Sequence, residues 1–128
     1  MFRMLFVDDD ELMQDLMAVK LKNLKELYLD LSLDGNDALG KIETNQYDLI
    51  ISDICMPNMT GIELCKIVKQ GDENIKFALF SGKISLTPTE IIETKADYFI
   101  NKDSTNFHNI ISIIENLFLK KFLYNEAA

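Results

Sequence analysis

The sequence contains few of the residues that build disulfide frameworks or transition-metal sites. Among 128 residues there are two cysteines, one histidine and no tryptophan. Cys55 and Cys65 could form at most one bridge, and we expect both to be free thiols in a reducing cytoplasm. No cysteine–histidine cluster has the spacing of a zinc site. The single histidine, His108, lies in a predicted helix, where we expect a structural or solvated side chain.

Positive charge and long hydrophobic runs are also scarce. Asp and Glu total 21 against 13 Lys and Arg, which gives a net charge of −8. This balance argues against direct nucleic-acid binding, because phosphate recognition needs a basic surface. No apolar run is long enough to span a bilayer, and the first residues do not form a secretory leader. We therefore expect a cytoplasmic protein that binds neither nucleic acid nor membrane, with residues 1–128 as one compact domain.

Short apolar runs alternate along the chain with segments of helical periodicity. The strand-like runs are Arg3–Val7, Leu27–Leu33, Tyr47–Ile51, Ile75–Phe80 and Tyr98–Ile100. The first helical segment is marked by an apolar stripe of Met13, Leu16, Met17, Leu21 and Leu24. The later helical segments are Asp37–Thr44, Gly61–Gln70, a helix that starts with a capping box at Thr87–Glu90, and Ser104–Tyr124. Strands that alternate with helices predict a parallel sheet covered by helices on both faces.

The last predicted helix has more apolar residues than one face can bury. Its main stripe is Phe107, Ile110, Ile111, Ile114, Phe118 and Phe122. Ile113, Leu119, Leu123 and Tyr124 lie off that stripe. An exposed apolar patch suggests a partner or a dimer, whereas a frayed terminal turn would explain the same pattern without one.

Polar residues follow the predicted strands at the edge where parallel sheets bind ligands. They are Asp8, Asp9 and Asp10 after the first strand, Ser52 and Asp53 after the third, Ser81 and Gly82 after the fourth, and Asn101 and Lys102 after the fifth. Such an oxygen-rich cluster suits Mg²⁺ before Ca²⁺, and a lysine and a hydroxyl beside it suit a phosphoryl group. Asp53 is the best-placed nucleophile toward phosphorus, because it ends the most buried strand. We expect Asp10 to cap the following helix.

Four motifs together resemble the receiver domain of bacterial response regulators, over essentially the whole chain. They are LFVDDDEL, YDLIISDICMPNMTGIEL, ALFSG and ADYFINK, of which the second is highly specific. The resemblance implies a doubly wound, flavodoxin-like α/β fold of five βα units with strand order 2-1-3-4-5. It also implies a two-component signalling switch and not an enzyme. Its chemistry would be limited to accepting a phosphoryl group from a sensor histidine kinase, a phosphotransfer protein or a small donor, and losing that group slowly.

The resemblance also implies a role for each site residue. Asp53 would be the phosphoacceptor, and Lys102 and Ser81 would bind the phosphoryl oxygens. Mg²⁺, or Mn²⁺ in its place, would be held directly by Asp9, Asp53 and the backbone carbonyl of Cys55, and by Asp8 through water. Ser81 moving toward the phosphoryl group would let Phe99 turn inward. That would alter the surface of the fourth helix, fifth strand and fifth helix, through which a target protein or a second copy binds.

Three residues depart from the family pattern. Asp103 follows Lys102 where the family usually has proline, so the usual cis peptide bond is not expected. Lys95 replaces the glycine that usually precedes the Ala-Asp pair, and Phe99 lacks the hydroxyl of the commoner tyrosine. These departures concern the output of the switch, because every group needed for the phosphoryl chemistry is present.

Two alternatives remain open at this point. A degenerate receiver would dock partners without being phosphorylated. A haloacid-dehalogenase-type phosphatase would use Asp8 as nucleophile and Asp10 as acid, since the Asp-x-Asp spacing follows a strand. The sequence also fits either a stand-alone receiver or the first part of a longer regulator.

Overall fold

A computed structural model describes residues 1–82, 86–102 and 107–127, with side chains up to residue 121. The elements are β1 Phe2–Val7, α1 Glu11–Leu21, β2 Leu27–Ser32, α2 Gly35–Thr44, β3 Leu49–Asp53, α3 Gly61–Gly71, β4 Lys76–Ser81, α4 Pro88–Thr94, β5 Tyr98–Asn101 and α5 Phe107–Ala127. The strands form one parallel sheet in the order β2-β1-β3-β4-β5. This is the flavodoxin-like topology that the sequence predicts.

Alternate residues of β1 enter two different hydrophobic cores, because successive strand residues point to opposite faces. Met4 and Phe6 pack in a core shared with α1 and α5. Leu5 and Val7 pack in a second core shared with α2 and α3. Burial on both faces explains why the strand is apolar throughout and does not alternate with polar residues.

The third strand begins and ends two residues later than predicted, at Leu49–Asp53 and not Tyr47–Ile51. Tyr47 is buried, but its hydroxyl bonds to Asp30 Oδ2 at 2.5 Å, and pairing with β1 starts at Leu49 opposite Met4. The prediction was wrong because a buried tyrosine before the strand looks the same in sequence as one within it. As a result, Asp53 is the last residue of β3 and pairs with Phe80 of β4.

Two helix starts are fixed by side-chain caps. The second helix begins at Gly35, earlier than the predicted Asp37, since Asp34 Oδ1 accepts from Asp37 N at 2.7 Å. The predicted capping box of α4 is confirmed, with Thr87 and Glu90 each accepting from the other's backbone N–H. This helix ends at Lys95 in the left-handed region, with φ 62°.

The stripe predicted for the first helix is only partly buried. Met17 and Leu21 lie in the core, whereas Leu16 is 40% exposed, so its prediction as a core residue was wrong. Leu12 and Val19 are exposed on the same side, at 79% and 56%. Leu12, Leu16 and Val19 are spaced by four and three residues and therefore form one exposed apolar stripe along α1.

The last helix buries three of the six residues of its predicted stripe, and Ile111 and Phe118 are partly buried. Phe107, Ile110 and Ile114 are buried, and Leu119 is 54% exposed, as the off-stripe position predicts. Ile113 is partly buried and packs against the core. The predicted helix start at Ser104, residue Asp103 and the side chains of Phe122, Leu123 and Tyr124 lie outside the described residues.

Both cysteines are free thiols, as predicted, with Cys55 exposed and Cys65 buried. Burial raises the pKa of the Cys65 thiol to about 11. His108 is exposed on α5. Across the described residues, no helix combines the length and apolarity needed to cross a bilayer.

Candidate functional site

The three consecutive aspartates after β1 have different environments. Asp8 is fully buried, and its Oδ1 accepts from Asp10 N at 2.9 Å. Asp10 Oδ1 accepts from Leu12 N at 3.0 Å, so Asp10 is the N-cap of α1, as predicted. Asp9 is exposed at the carboxyl edge of the sheet. The like charges are thereby separated into a buried group, a site-facing group and a helix cap.

Asp8, Asp9 and Asp53 form a cluster that could hold a metal ion. One carboxylate oxygen from each lies within 4.8 Å of the other two. Asp53 reaches the cluster because β3 lies beside β1 in the sheet, with Ser52 opposite Val7. Carboxylate oxygens are the ligands that Mg²⁺ prefers in proteins, so the chemistry of these three side chains fits this ion. Receiver domains of the kind that the sequence resembles use Mg²⁺ at an acidic pocket of this type.

Lys102 supplies the positive charge of the site. Its Nζ lies 2.8 Å from Asp8 Oδ2 and 3.2 Å from Asp53 Oδ2. Its backbone N–H donates to Ser81 O at 2.9 Å, which places the residue directly beyond β4 and β5. The ammonium group therefore bridges two carboxylates and offsets part of their mutual repulsion.

The ionisation of Asp53 and Lys102 reflects this crowding. Burial raises the pKa of Asp53, as does the charge of Asp8, while Lys102 acts in the opposite direction. Burial by itself would lower the pKa of Lys102, but the hydrogen bonds and charges of Asp8 and Asp53 outweigh it and raise that pKa. Lys102 is therefore fully protonated at neutral pH, whereas Asp53 is less acidic than an exposed carboxyl group.

The loop after Asp53 is held against the strand end by backbone contacts. Ile54 N donates to Phe80 O at 3.2 Å, and Gly61 N donates to Ile54 O at 2.8 Å. A Cβ on Gly61 would lie 2.1 Å from the Asp53 carbonyl oxygen, so no other residue fits at this position. Asn58 takes the positive φ of 70° that turns the loop. The Cys55 N–H hydrogen-bonds to the Asp53 carboxylate and lowers its pKa, which opposes the effect of burial.

Ser81 lies beside this site, and Phe99 lies on the neighbouring strand. Ser81 is the buried last residue of β4, one position beyond the residue that pairs with Asp53. Phe99 is half-buried in β5 and lines a cavity of about 550 Å³ between β5 and α5, together with Tyr98, Asn109 and Ile113. The two residues occupy adjoining strands, with Leu79 opposite Phe99.

Sequence reasoning missed one residue of this region, Gln14. It is 9% exposed, and its Nε2 donates to Asp8 O at 3.1 Å and to Ser32 O at 2.7 Å. The available signal was a polar residue on the buried side of α1, three residues before Met17 and seven before Leu21.

The phosphatase alternative fits this geometry poorly. Its nucleophile would be Asp8, which is fully buried and paired with Lys102. Its acid would be Asp10, whose carboxylate caps α1.

The chain is similar in sequence to response regulators. A family model described as the response regulator receiver domain matches residues 4–115. Transcription factor prr1 of Schizosaccharomyces pombe is 31% identical over 84 residues, covering 66% of this chain and 15% of that protein. Response regulator ArlR of Staphylococcus saprophyticus is 28% identical over 99 residues, covering 77% of this chain and 39% of that protein. The chain thus spans less than half the length of these curated relatives.

Solved structures give the same result for the fold. Response regulator TrrA of Thermotoga maritima, crystallised in complex with Mg²⁺–BeF, has a TM-score of 0.80 at 27% identity, over 91% of this chain and 99% of that one. A CheY-like receiver domain protein of Methanospirillum hungatei has a TM-score of 0.83 at 25% identity, over 94% of this chain and 97% of that one.

Proposed function

The chain belongs to the family of response regulator receiver domains, and on that basis we propose that a phosphoryl group transferred to Asp53 switches its partner-binding surface. Receiver domains of two-component systems are signalling switches and not classical enzymes. One observation carries the proposal: Asp53, Asp8, Asp9 and Lys102 meet at one sheet edge, with Lys102 Nζ 3.2 Å from Asp53 Oδ2. This combination of a nucleophile, a cation site and a phosphate-binding ammonium is what aspartyl phosphorylation requires.

The acidic residues would hold the metal ion that the reaction needs. Asp8, Asp9 and Asp53, with the backbone carbonyl of Cys55, would bind Mg²⁺, or Mn²⁺ in its place. The bound ion would neutralise charge on the phosphoryl oxygens during transfer. Lys102 offsets part of the carboxylate charge, and the ion would compensate the rest.

The transfer uses residues of this chain at each end of the new bond. A carboxylate oxygen of Asp53 attacks the phosphorus of a phosphohistidine on a sensor kinase or phosphotransfer protein. The O–P bond forms as the N–P bond breaks, and the imidazole nitrogen keeps the electron pair. The Lys102 ammonium and the Ser81 hydroxyl donate to the phosphoryl oxygens. Water later attacks the acyl phosphate slowly, which regenerates Asp53 and releases phosphate.

The output surface comprises α4, β5 and α5. We propose that Ser81 moves toward the phosphoryl group and that Phe99 turns inward, a local change that biases a two-state element. Ile92 of α4 and Leu119 of α5 are 76% and 54% exposed. These apolar side chains suit a target protein or a second copy of the chain.

The phosphodonor surface lies at the start of α1. The exposed stripe of Leu12, Leu16 and Val19 begins two residues after the Asp10 cap. A protein that delivers a phosphoryl group to Asp53 must cover this neighbourhood, and an apolar stripe there favours docking by a helical partner.

The remaining features follow from composition and length. We propose that residues 1–128 form a single receiver domain that acts in the cytoplasm. Its direct partners are proteins and not DNA, because the net charge is −8. Any DNA-binding activity such as the name of the relative prr1 implies would belong to a different segment or to a partner.

Beryllofluoride with Mg²⁺ mimics an aspartyl phosphate and tests the proposed switch. In two-dimensional amide NMR spectra, we expect shifts around Asp53 and also on α4 and β5. Asp53→Asn should show neither set of shifts. An unchanged wild-type spectrum would exclude the switch.

The degenerate-receiver alternative predicts that partner binding survives Asp53→Ala. The phosphatase alternative predicts ester hydrolysis that survives Asp53→Asn and is lost with Asp8→Asn.

A further inference from the structure

Gln14 connects the carboxyl ends of β1 and β2 from within α1. Its Nε2 donates to Asp8 O at 3.1 Å and to Ser32 O at 2.7 Å, and the side chain is 9% exposed. Strand pairing between β1 and β2 ends at Val7 opposite Ser32. Asp8 N also donates to Ser32 O, at 3.0 Å, so the Gln14 amide adds a second link between Asp8 and the end of β2, through the Asp8 carbonyl.

The position of the Asp8 carbonyl determines where Asp9 lies. A peptide unit is planar, so the Asp8 carbonyl, the Asp9 N–H and the Asp9 Cα lie in one plane. A hydrogen bond that holds the carbonyl oxygen thus restrains the path of the chain into Asp9. Asp8 is held through its side chain as well, because Oδ1 accepts from Asp10 N at 2.9 Å. Gln14 therefore restrains the Asp8–Asp9 peptide, which leads to the exposed carboxylate of Asp9 in the metal cluster.

We propose that Gln14 is a positioning residue that orients the Asp8–Asp9 peptide and thereby sets the affinity of the site for Mg²⁺. The inference rests on the proposed function, because it assumes that the carboxylate cluster binds this ion. In this proposal Gln14 acts through its hydrogen bond to the Asp8 carbonyl and not as a metal ligand. Residues that orient metal ligands typically change the affinity about 10- to 100-fold when they are replaced.

Gln14→Met is the most direct test, because methionine has a similar shape and no donor. Asn45→Leu is the matched control. The Asn45 amide also donates to a backbone carbonyl, Lys41 O, at 2.9 Å, but at the end of α2, close to where the strands begin. Both replacements remove a side-chain donor to a main-chain carbonyl, and only the first lies beside the carboxylate cluster.

The measurement is the dissociation constant for MgCl₂ alone, by isothermal titration calorimetry, with urea unfolding of each variant in parallel. We expect Gln14→Met to bind Mg²⁺ about tenfold more weakly, or worse. Asn45→Leu should lose stability while its Mg²⁺ affinity stays at the wild-type value. That contrast separates a positioning role from a structural one.

Wild-type affinity in Gln14→Met would overturn the inference. If that variant does not fold, Gln14→Asn replaces it, because its amide is one methylene too short to reach both carbonyls. Its affinity should also fall, and an unchanged value would overturn the inference equally. Failure of the wild-type protein to bind Mg²⁺ would reject the metal site of the proposed function, and the role of Gln14 with it.

Discussion

At the scale of single residues, the site balances one ammonium group against two buried carboxylates. Asp8 and Asp53 have side chains 0% and 9% exposed, and Lys102 lies within 3.2 Å of both. Burying charges is costly unless they are paired, so the three side chains depend on one another. The exposed Asp9 adds charge that Lys102 does not contact in the described structure. This residual negative charge is what a divalent cation would compensate.

Removing the ammonium group should destabilise the protein in a pH-dependent way. Lys102→Met leaves Asp8 and Asp53 buried without a cation, and we expect a loss of about 3 kcal/mol at neutral pH. The pKa of Asp53 is already raised. A carboxyl group with a higher pKa in the folded state destabilises the fold when ionised, and this cost grows as pH rises from the unfolded to the folded pKa. The loss should therefore shrink toward acidic pH.

Urea unfolding from acidic to neutral pH measures how much unfolding free energy Lys102→Met loses at each pH. Lys76→Met is the control, because Lys76 lies 3.8 Å from Asp97 Oδ1 and is 44% exposed. Its effect should stay within about 0.5 kcal/mol. An equal loss for Lys102→Met at acidic and neutral pH would show that packing and not charge explains the result.

A second prediction concerns the end of α4. Lys95 adopts φ 62°, which costs energy for any residue with a Cβ. We expect Lys95→Gly to stabilise the protein by about 0.5–1 kcal/mol, measured by urea unfolding. Lys95→Ala should give no such gain, because alanine keeps the Cβ. A gain from alanine equal to that from glycine would contradict the strain explanation.

At the scale of elements, the sequence predicted the strands well and the contacts between elements poorly. The strands other than β3 begin and end within one residue of the predicted limits. The predicted limits of β3 were two residues too early, because a buried tyrosine such as Tyr47 can lie within a strand or just before it. Asp8, Asp53 and Lys102 could be placed at one edge because parallel strands end there together. Gln14 could not, because its partner Ser32 O belongs to another strand, 18 residues along the chain.

The β3–α3 loop yields a prediction at this scale. A Cβ on Gly61 would lie 2.1 Å from the Asp53 carbonyl oxygen, so Gly61→Ala should displace the end of β3. We expect a loss of about 3 kcal/mol in unfolding free energy, together with weaker Mg²⁺ binding. Urea unfolding and Mg²⁺ titration measure the two effects.

Gly40→Ala is the matched control for Gly61→Ala. Gly40 lies within α2 and a Cβ there meets no atom within 4 Å. Alanine is the better helix former, so this change should stabilise the protein by about 0.5–1 kcal/mol. If Gly61→Ala were equally stabilising, the close packing of the loop on Asp53 would be refuted.

At the scale of the whole molecule, the proposed phosphorylation site lies on the sheet and the exposed apolar residues lie on helices. The carboxyl edge holds Asp53, while exposed apolar residues lie on α1, α4 and α5. The last helix is anchored at the opposite edge, where Lys121 Nζ contacts Met1 O and Asp48 Oδ2, each at 3.0 Å. We expect the proposed switch to change α4 and β5 and to leave this anchored end of α5 unchanged.

The central claim is that Asp53 accepts a phosphoryl group. Intact-protein mass spectrometry after incubation with Mg²⁺ and acetyl phosphate measures this directly. We expect the wild type and the helix-cap variant Asp10→Asn each to gain one phosphoryl group. Asp53→Asn, and the wild type with the metal removed by chelation, should gain none. A wild-type protein whose mass does not change, or an Asp53→Asn variant that is still phosphorylated, would contradict the account.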